Sequence, residues 1–321
     1  MSAVNGTSIA RKPFWLNKKI ELGKCQQMSE LLSGLKLNTV CQEAFCPNIS
    51  ECFSQNTATF LILGDMCTRT CGFCAVNKGL PAEIDNFEPD RVAEAVNRLG
   101  LDYVVITSVT RDDLPDGGAG VFADTISLIR KINKRVKIEL LIPDFKGNIE
   151  ALRKVVDAAP DVIGHNLETV PSLYLETRPQ ADYQRSLEVL KSIKKLALAN
   201  PVRDRTPEVS DGRPWRPVSN GASKIYTKSS LMLGLGEEEK EVSGVLSDLC
   251  SVDCDFLSLG QYLCPGNKNL AVREFIHPDK FLAYKQEALW LGFLYVESGP
   301  YVRSSYRAAG YFKDKCQDAG G

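Results

Sequence analysis

Histidine is almost missing from this chain. Two of them, His165 and His277, serve 321 residues, so a zinc site of mixed Cys and His ligands is poorly supplied. An excess of either charge is missing too: 39 Lys and Arg face 40 Asp and Glu, for a net charge of −1. A balance of this kind argues against a nucleic-acid or membrane-surface protein. No apolar run approaches the ~20 residues needed to span a bilayer. The opening stretch, MSAVNGTSIARKPFWL, lacks the apolar centre of a secretory signal and is too short and too poor in arginine for a transit peptide. The expected location is therefore cytoplasmic. Internal repeats of fixed period and long low-complexity tracts are also absent.

Cysteine, by contrast, is in surplus. There are 11, and an odd number argues against a closed disulfide framework. Clustered cysteines without a secretion signal point to metal rather than to disulfides. With hydrophobic residues at 44 %, the chain can bury a sizeable core, as one large domain or two.

From about residue 56 to 265, strand-like and helix-like segments alternate. TFLILGD (59–65), YVVITSV (103–109), KIELLIP (137–143), VIGHNLE (162–168), SSLMLGLG (229–236) and DFLSLGQYL (255–263) read as strands. Helical spacing of apolar residues predicts helices over 90–99, 120–132, 148–159, 183–198 and 238–250. Near-continuous apolar strands between helices imply an α/β fold with a parallel sheet covered by helices. Six such units make a partial (β/α)6 barrel of the TIM type, with N- and C-terminal extensions. The expected division is 1–55, 56–270 and 271–321. Within the barrel, residues 200–224 are rich in Pro, Gly, Ser and charge, and read as an inserted solvated loop.

A parallel barrel places its working residues at the C-terminal ends of its strands. Polar residues gather there: Asp65, Thr107 and Ser108, then His165, Asn166 and Glu168, then Gln261 and Tyr262, with Glu139 within the third strand. Directly after the first strand stands CTRTCGFC, with Cys67, Cys71 and Cys74 in a C-x3-C-x2-C spacing. Chance gives roughly 0.01 such triplets in a chain of this cysteine content. Three thiolates so close can hold three irons of a cubane cluster and leave the fourth iron open to a substrate. The residues alone also allow a zinc ion completed by a remote ligand. Upstream, VCQEAFCPNISECF sets Cys41, Cys46 and Cys52 in a C-x4-C-x5-C spacing with the same two readings.

The spacing of the second triplet resembles the signature of the radical S-adenosylmethionine (SAM) superfamily. Phe73, before the last cysteine, stands where that superfamily usually has an aromatic residue beside the adenine. The resemblance makes Thr107, Ser108, Asn166 and Glu168 candidates to hold SAM. Both triplets together narrow it to the lipoyl synthase family. Matching stretches run through nearly the whole chain: NTVCQEAFCPNISECF, FLILGDMCTRTCGFCAV, RDDLPDGGA, HNLETVP, ADYQRSLEVL, KSSLMLGLGE, FLSLGQYL and SGPYVRSSYRA. In that family a serine of RSSY ligates the open iron of an auxiliary cluster, and the matching position is Ser305.

The resemblance implies two 4Fe–4S clusters, SAM as cofactor, and insertion of sulfur at C6 and C8 of an octanoyl-lysine on a carrier protein. Carrier candidates are dehydrogenase E2 subunits and the glycine-cleavage H protein, and the electron donor would be a ferredoxin or flavodoxin. Such C–H bonds have no acidic proton, so a radical rather than a general base must act on them. The chain departs from the family at Thr110, Gln180, Cys264 and the 200–224 stretch, positions expected to affect the substrate face and to touch no cluster ligand. Two other readings stand beside this one. A sulfur-inserting enzyme of the biotin-synthase kind is disfavoured by the N-terminal auxiliary triplet and by RSSY. A non-catalytic redox scaffold would not cleave SAM.

Overall fold

The computed structural model describes residues 12–17, 25–54, 57–199 and 225–312. The expected insertion at 200–224 and Cys316 lie outside the described residues. In chain order the elements are α1 (Gln26–Gly34), β1 (Asn38–Thr39), α2 (Val40–Glu43), α3 (Ile49–Ser54), β2 (Thr59–Ile62), β3 (Met66–Cys67), β4 (Asn77–Lys78), α4 (Glu88–Arg98), β5 (Tyr103–Ser108) and α5 (Ala119–Ile132). There follow β6 (Lys137–Leu141), α6 (Ile149–Asp157), β7 (Val162–Gly164), α7 (Tyr174–Thr177), α8 (Tyr183–Ala199), β8 (Tyr226–Leu233), α9 (Glu239–Ser251), β9 (Phe256–Gln261), α10 (Pro278–Leu291) and β10 (Tyr295–Gly299).

Eight strands form one sheet in the order β1-β2-β5-β6-β7-β8-β9-β10. All its neighbours pair in parallel except β1 and β2. Strands and helices alternate in sequence, as expected of a partial barrel. Phe60, Ile62, Ile106, Ile138 and Ile163 of the strands pack with Val92, Phe122, Ile126 and Val155 of the helices in one buried core. A second core joins Leu231, Leu233, Leu257 and Leu259 to Val242, Leu246 and Phe281.

The inner face follows from register. Thr59 pairs with Val105, Val105 with Glu139, Glu139 with Val162 and Val162 with Tyr226. Residues in register share a face of a parallel sheet, and the period of two carries Lys228 to the same face as Tyr226. A charged residue is thus turned inward on two strands.

Two boundaries differ from expectation. The strand in VIGHNLE stops at Gly164. Residues 165–168 leave the ladder, and Glu168 makes only an isolated bridge to Leu231, with φ at +68°. The stretch expected to be a C-terminal extension supplies α10 and a seventh parallel strand, β10, paired with β9. Its sequence, YVESG, has a single fully buried residue, so it lacks the apolar run that marked the other strands. Among the described residues, no helix is long and apolar enough to cross a membrane.

Candidate active site and metal centres

The cysteine loop begins where β2 ends, at the C-terminal end of the sheet. Leu63 donates its N–H to the Glu88 carboxylate at 2.6 Å, which ties the exit of β2 to the first turn of α4. Cys67 closes the two-residue β3, and its Sγ accepts N–H bonds from Arg69 and Thr110, both at 3.4 Å. Arg69 is buried between Asp112, at 2.7 Å, and Asp144, at 2.6 Å. Burial alone would push the Asp144 carboxyl up, but the Arg69 guanidinium holds it well below the usual carboxylate range. Arg185 adds a second cation to Asp144 at 2.8 Å. On the far side of the loop, Asn269 donates to Gly72 O at 3.1 Å and to Cys74 O at 2.9 Å, and the Leu270 N–H donates to Gly72 O. The eight-residue loop is therefore clamped at both ends by residues far away in sequence.

Cys71 and Cys74 are half-buried on this loop. Burial raises both thiols, Cys74 to about 11, with the neighbouring cysteines adding to the effect and the Val76 N–H opposing it. The three thiols, Cys67, Cys71 and Cys74, share one loop of eight residues. Neutral thiols of this kind release protons on taking up iron.

Behind the loop, Asn166 Nδ2 donates to Glu168 Oε1 at 3.0 Å. Burial raises the Glu168 carboxyl, while Arg178 and Asn166 pull it down. Arg178 Nη1 donates to the carbonyls of Asn166, at 2.8 Å, and Leu167, at 3.0 Å. The strained stretch after β7 is thus held by an arginine, and the Glu168 charge is among those that raise the Cys71 and Cys74 thiols. Phe73 is half-buried on the same loop. Thr107 already donates its hydroxyl to Leu141 O at 2.8 Å, whereas the buried Ser108 Oγ meets no partner among the described residues.

Some of the strand-end residues turn out to be structural. Gln261 donates to the carbonyls of Leu233, Tyr262 and Glu274 and accepts from Ile276 N. The Tyr262 hydroxyl is used on Leu270 O at 2.7 Å. These side chains replace ladder bonds where the chain leaves β9. Asp65 is exposed. Two of the departures from the resembled family, Thr110 and Gln180, reach the 67–74 loop, and Thr110 touches Cys67 itself, contrary to expectation. The Thr110 N–H meets Cys67 Sγ, and Gln180 Oε1 accepts from the N–H and the hydroxyl of Thr70. The Thr110 contact is a backbone one, open to any residue; the Gln180 contact depends on its side chain.

The first triplet gathers at the other end of β2. Thr39 caps α2 by accepting from Gln42 N, and Cys41 is buried on that helix. Burial pushes its thiol up to about 12, with the Thr59 N–H working against the shift and Cys46 and Cys52 adding to it. Cys41, Cys46 and Cys52 line a recess partly open to solvent, together with Thr59, Arg303, Ser305 and Tyr306. Thr59 donates its hydroxyl to Ser305 Oγ at 2.7 Å. Two further bonds hold the C-terminal segment there: Asn48 Nδ2 to Tyr301 O at 2.7 Å and the Tyr306 hydroxyl to Glu51 Oε1 at 2.9 Å.

Among the described residues, no three His, Cys, Asp or Glu side chains are gathered as one metal ion would need. Three thiols and a serine hydroxyl around a recess nonetheless fit the donor set of a larger cluster. Three residues that the sequence did not single out hold or line these loops: Arg69, Arg178 and Thr59. A charge inside CTRTC was the available signal for Arg69. Thr59, at the head of a plain apolar strand, carried none. Three unassigned cysteines use their sulfurs on backbone carbonyls: Cys250 donates to Leu291 O, Cys254 to Phe256 O and Cys264 to Gly266 O.

The profile of the Radical SAM superfamily matches residues 61–207. A protein of Geobacter metallireducens named lipoyl synthase is 53 % identical over 304 residues, covering 95 % of this chain and 98 % of its own length. One of Caldicellulosiruptor saccharolyticus, also named lipoyl synthase, is 52 % identical over 299 residues, covering 93 % and 96 %. Among solved structures, Streptococcus suis SuiB bound to S-adenosylmethionine has a TM-score of 0.55 at 11 % identity, over 86 % of this chain and 61 % of its own. The FeFe-hydrogenase maturase HydG from Carboxydothermus hydrogenoformans has a TM-score of 0.51 at 13 % identity, over 80 % and 66 %. Identities this low speak for the fold alone.

Proposed function

The chain belongs to the lipoyl synthase family of radical SAM enzymes, and from that premise we propose that it inserts two sulfur atoms, at C6 and C8, into an octanoyl chain carried on a lysine of another protein. The observation that supports this reading best is the recess in which Ser305 meets Cys41, Cys46 and Cys52. A superfamily member that only makes a radical needs the one loop at 67–74. A second set of three thiols, with an oxygen facing it, fits a second cluster that serves as sulfur donor and is consumed.

On this reading Cys67, Cys71 and Cys74 hold one 4Fe–4S cluster, and Cys41, Cys46, Cys52 and Ser305 hold the other. Bound at the first site, a cluster and SAM would supply radical chemistry able to act on unactivated C–H bonds. Asn166 and Glu168 offer an amide and a carboxylate to the cofactor's polar groups, and the free Ser108 hydroxyl adds a donor. Phe73 offers its ring to the adenine, and Thr107 shapes the wall. The buried strand ends exclude water and stray hydrogen donors. Ser305 would offer the second cluster a hard oxygen among soft thiolates, the donor in the set that binds iron least firmly. The Thr59 hydroxyl stays in place to donate to its oxygen. Two hydrogens are removed, so two SAM molecules are used per lipoyl group.

The substrates are octanoylated carrier domains, such as dehydrogenase E2 subunits or the glycine-cleavage H protein, with a ferredoxin or flavodoxin as electron donor. We take 1–55, 56–270 and 271–321 as the working segments. The test is anaerobic incubation of the iron-loaded chain with dithionite, SAM and an octanoyl-lysine peptide, followed by mass spectrometry. The expected product is two sulfurs heavier, with 5′-deoxyadenosine released. Deoxyadenosine without sulfur on the peptide would keep the radical chemistry and refute the substrate.

A further inference from the structure

Lys228 stands in the middle of β8 and is fully buried. Its Nζ lies 2.6 Å from Glu139 Oε1 on β6, itself 1 % exposed. The other carboxylate oxygen accepts the Tyr103 hydroxyl at 2.5 Å. Desolvating two charges is costly, and apolar residues of similar volume often serve stability as well or better. Stability alone is therefore a weak account of this pair.

The other contacts of the ammonium give a better one. It donates to the Ser304 carbonyl oxygen and stands 4.7 Å from the ring centroid of Tyr311. Both belong to the segment that follows β10. The Tyr311 ring is stacked on Phe256 at 4.7 Å, within the inner face. Ser304 then reaches in two directions. Its hydroxyl donates to Asn166 Oδ1 at 3.2 Å, and its chain neighbour is Ser305. The fit extends to Gly260 on β9, where a Cβ would stand 2.0 Å from Val302 O. Only glycine lets the segment lie that close to the strand.

We infer that the buried Lys228–Glu139 pair is a positioning device: it grips the Ser304 carbonyl and so holds Ser305 over the Cys41, Cys46 and Cys52 recess, independently of any iron. The inference rests on the role proposed above for Ser305. A ligand that must let go during the reaction and stay near needs a backbone anchor of its own. Lys228 supplies that anchor from inside the barrel, and Glu139 keeps the ammonium in place. The tie from Ser304 to Asn166 sets the same segment in register with the residues proposed to hold SAM.

The test uses the full-length chain carrying Lys228→Met, and the pair Lys228→Met with Glu139→Gln. The single change strands a buried carboxylate and can fail to fold. The double change removes both charges and leaves an amide oxygen to accept from Tyr103. In the chain before iron loading, hydrogen–deuterium exchange of the amides at 302–308 is expected to rise at least tenfold in the double variant. Exchange in β2, β5 and β6 stays as in the unmodified chain. After loading, the Mössbauer signature of the auxiliary cluster's unique iron is expected to change. Unchanged exchange at 302–308 in a folded double variant would overturn the inference, as would uniform loosening of the whole barrel. If the unmodified chain binds only one cluster, the proposed function fails, whereas the exchange result still decides whether the pair anchors the segment.

Discussion

Thr59 and Ser305 share a 2.7 Å hydrogen bond across a separation of 246 residues. Thr59→Val keeps the shape of the side chain and removes that donor. Iron content should stay at about eight per chain, the sum of two cubanes. The rate of sulfur insertion should fall about tenfold, equivalent to about 1.4 kcal/mol, the upper end of the net worth of a neutral hydrogen bond. Ser305→Ala should go further: deoxyadenosine is still released, and no sulfur reaches the peptide. A second residue sets a pH dependence. Burial pulls His165 down to about 4, with Arg178 acting in the same direction and its bond to Ile142 O opposing it. The folded chain thus keeps a neutral ring where the unfolded chain, with a pKa near 6.5, gains a proton. Stability from this group is intact above about 6.5 and declines as pH falls towards 4. Between pH 7 and pH 5 the loss is about 2 kcal/mol. His165→Gln should lack that component, and urea denaturation of both chains at the two pH values measures the difference.

The elements explain how a loop of eight residues can be a rigid site. CTRTCGFC contains no helix, yet Arg69 is locked between two carboxylates, and Asn269 and Leu270 hold Gly72 and Cys74 from beyond β9. The element most exposed to a single change is β9. Gly260→Ala drives a methyl group into Val302 O, so either the strand or the C-terminal segment must shift. Unfolding free energy should drop by about 1–3 kcal/mol, the usual cost of overpacking. Limited proteolysis should open the chain near 300–306 before it cuts the barrel. Equal protection of that segment in both chains would show that the contact is easily relieved.

For the molecule as a whole, segments from the two halves of the chain close on one another beside the sheet. β1 joins the sheet beside β2, while Tyr301 and Tyr306 meet Asn48 and Glu51. The two cysteine triplets therefore lie at opposite ends of β2 and depend on different parts of the chain. Cys46→Ala should lower iron from about eight to about four per chain and leave SAM cleavage intact. Cys71→Ala should also leave about four and abolish cleavage. Iron analysis with a deoxyadenosine assay separates the two, and equal losses of both in each variant would count against independent sites.

The family and the two cysteine triplets were legible in the sequence because thiolate ligation of the kind proposed restricts residue type and spacing together: three cysteines within eight or twelve residues need no tertiary contact to be seen. Apolar runs alternating with helical periods likewise determined a parallel α/β sheet, since strands buried on both faces show their burial in composition. β10 escaped because only one of its residues is fully buried, and Gln261 and Tyr262 suggested a site because polar strand ends look alike whether they bind a ligand or a backbone carbonyl. Only the tertiary structure decided that Thr59 and Ser305 meet, that Arg69 is a buried clamp, and that the charge on Lys228 points inward to Glu139 and Ser304. Those facts depend on strand register and on where distant segments are brought together. Contacts between segments far apart in sequence leave no period or spacing along the chain to read.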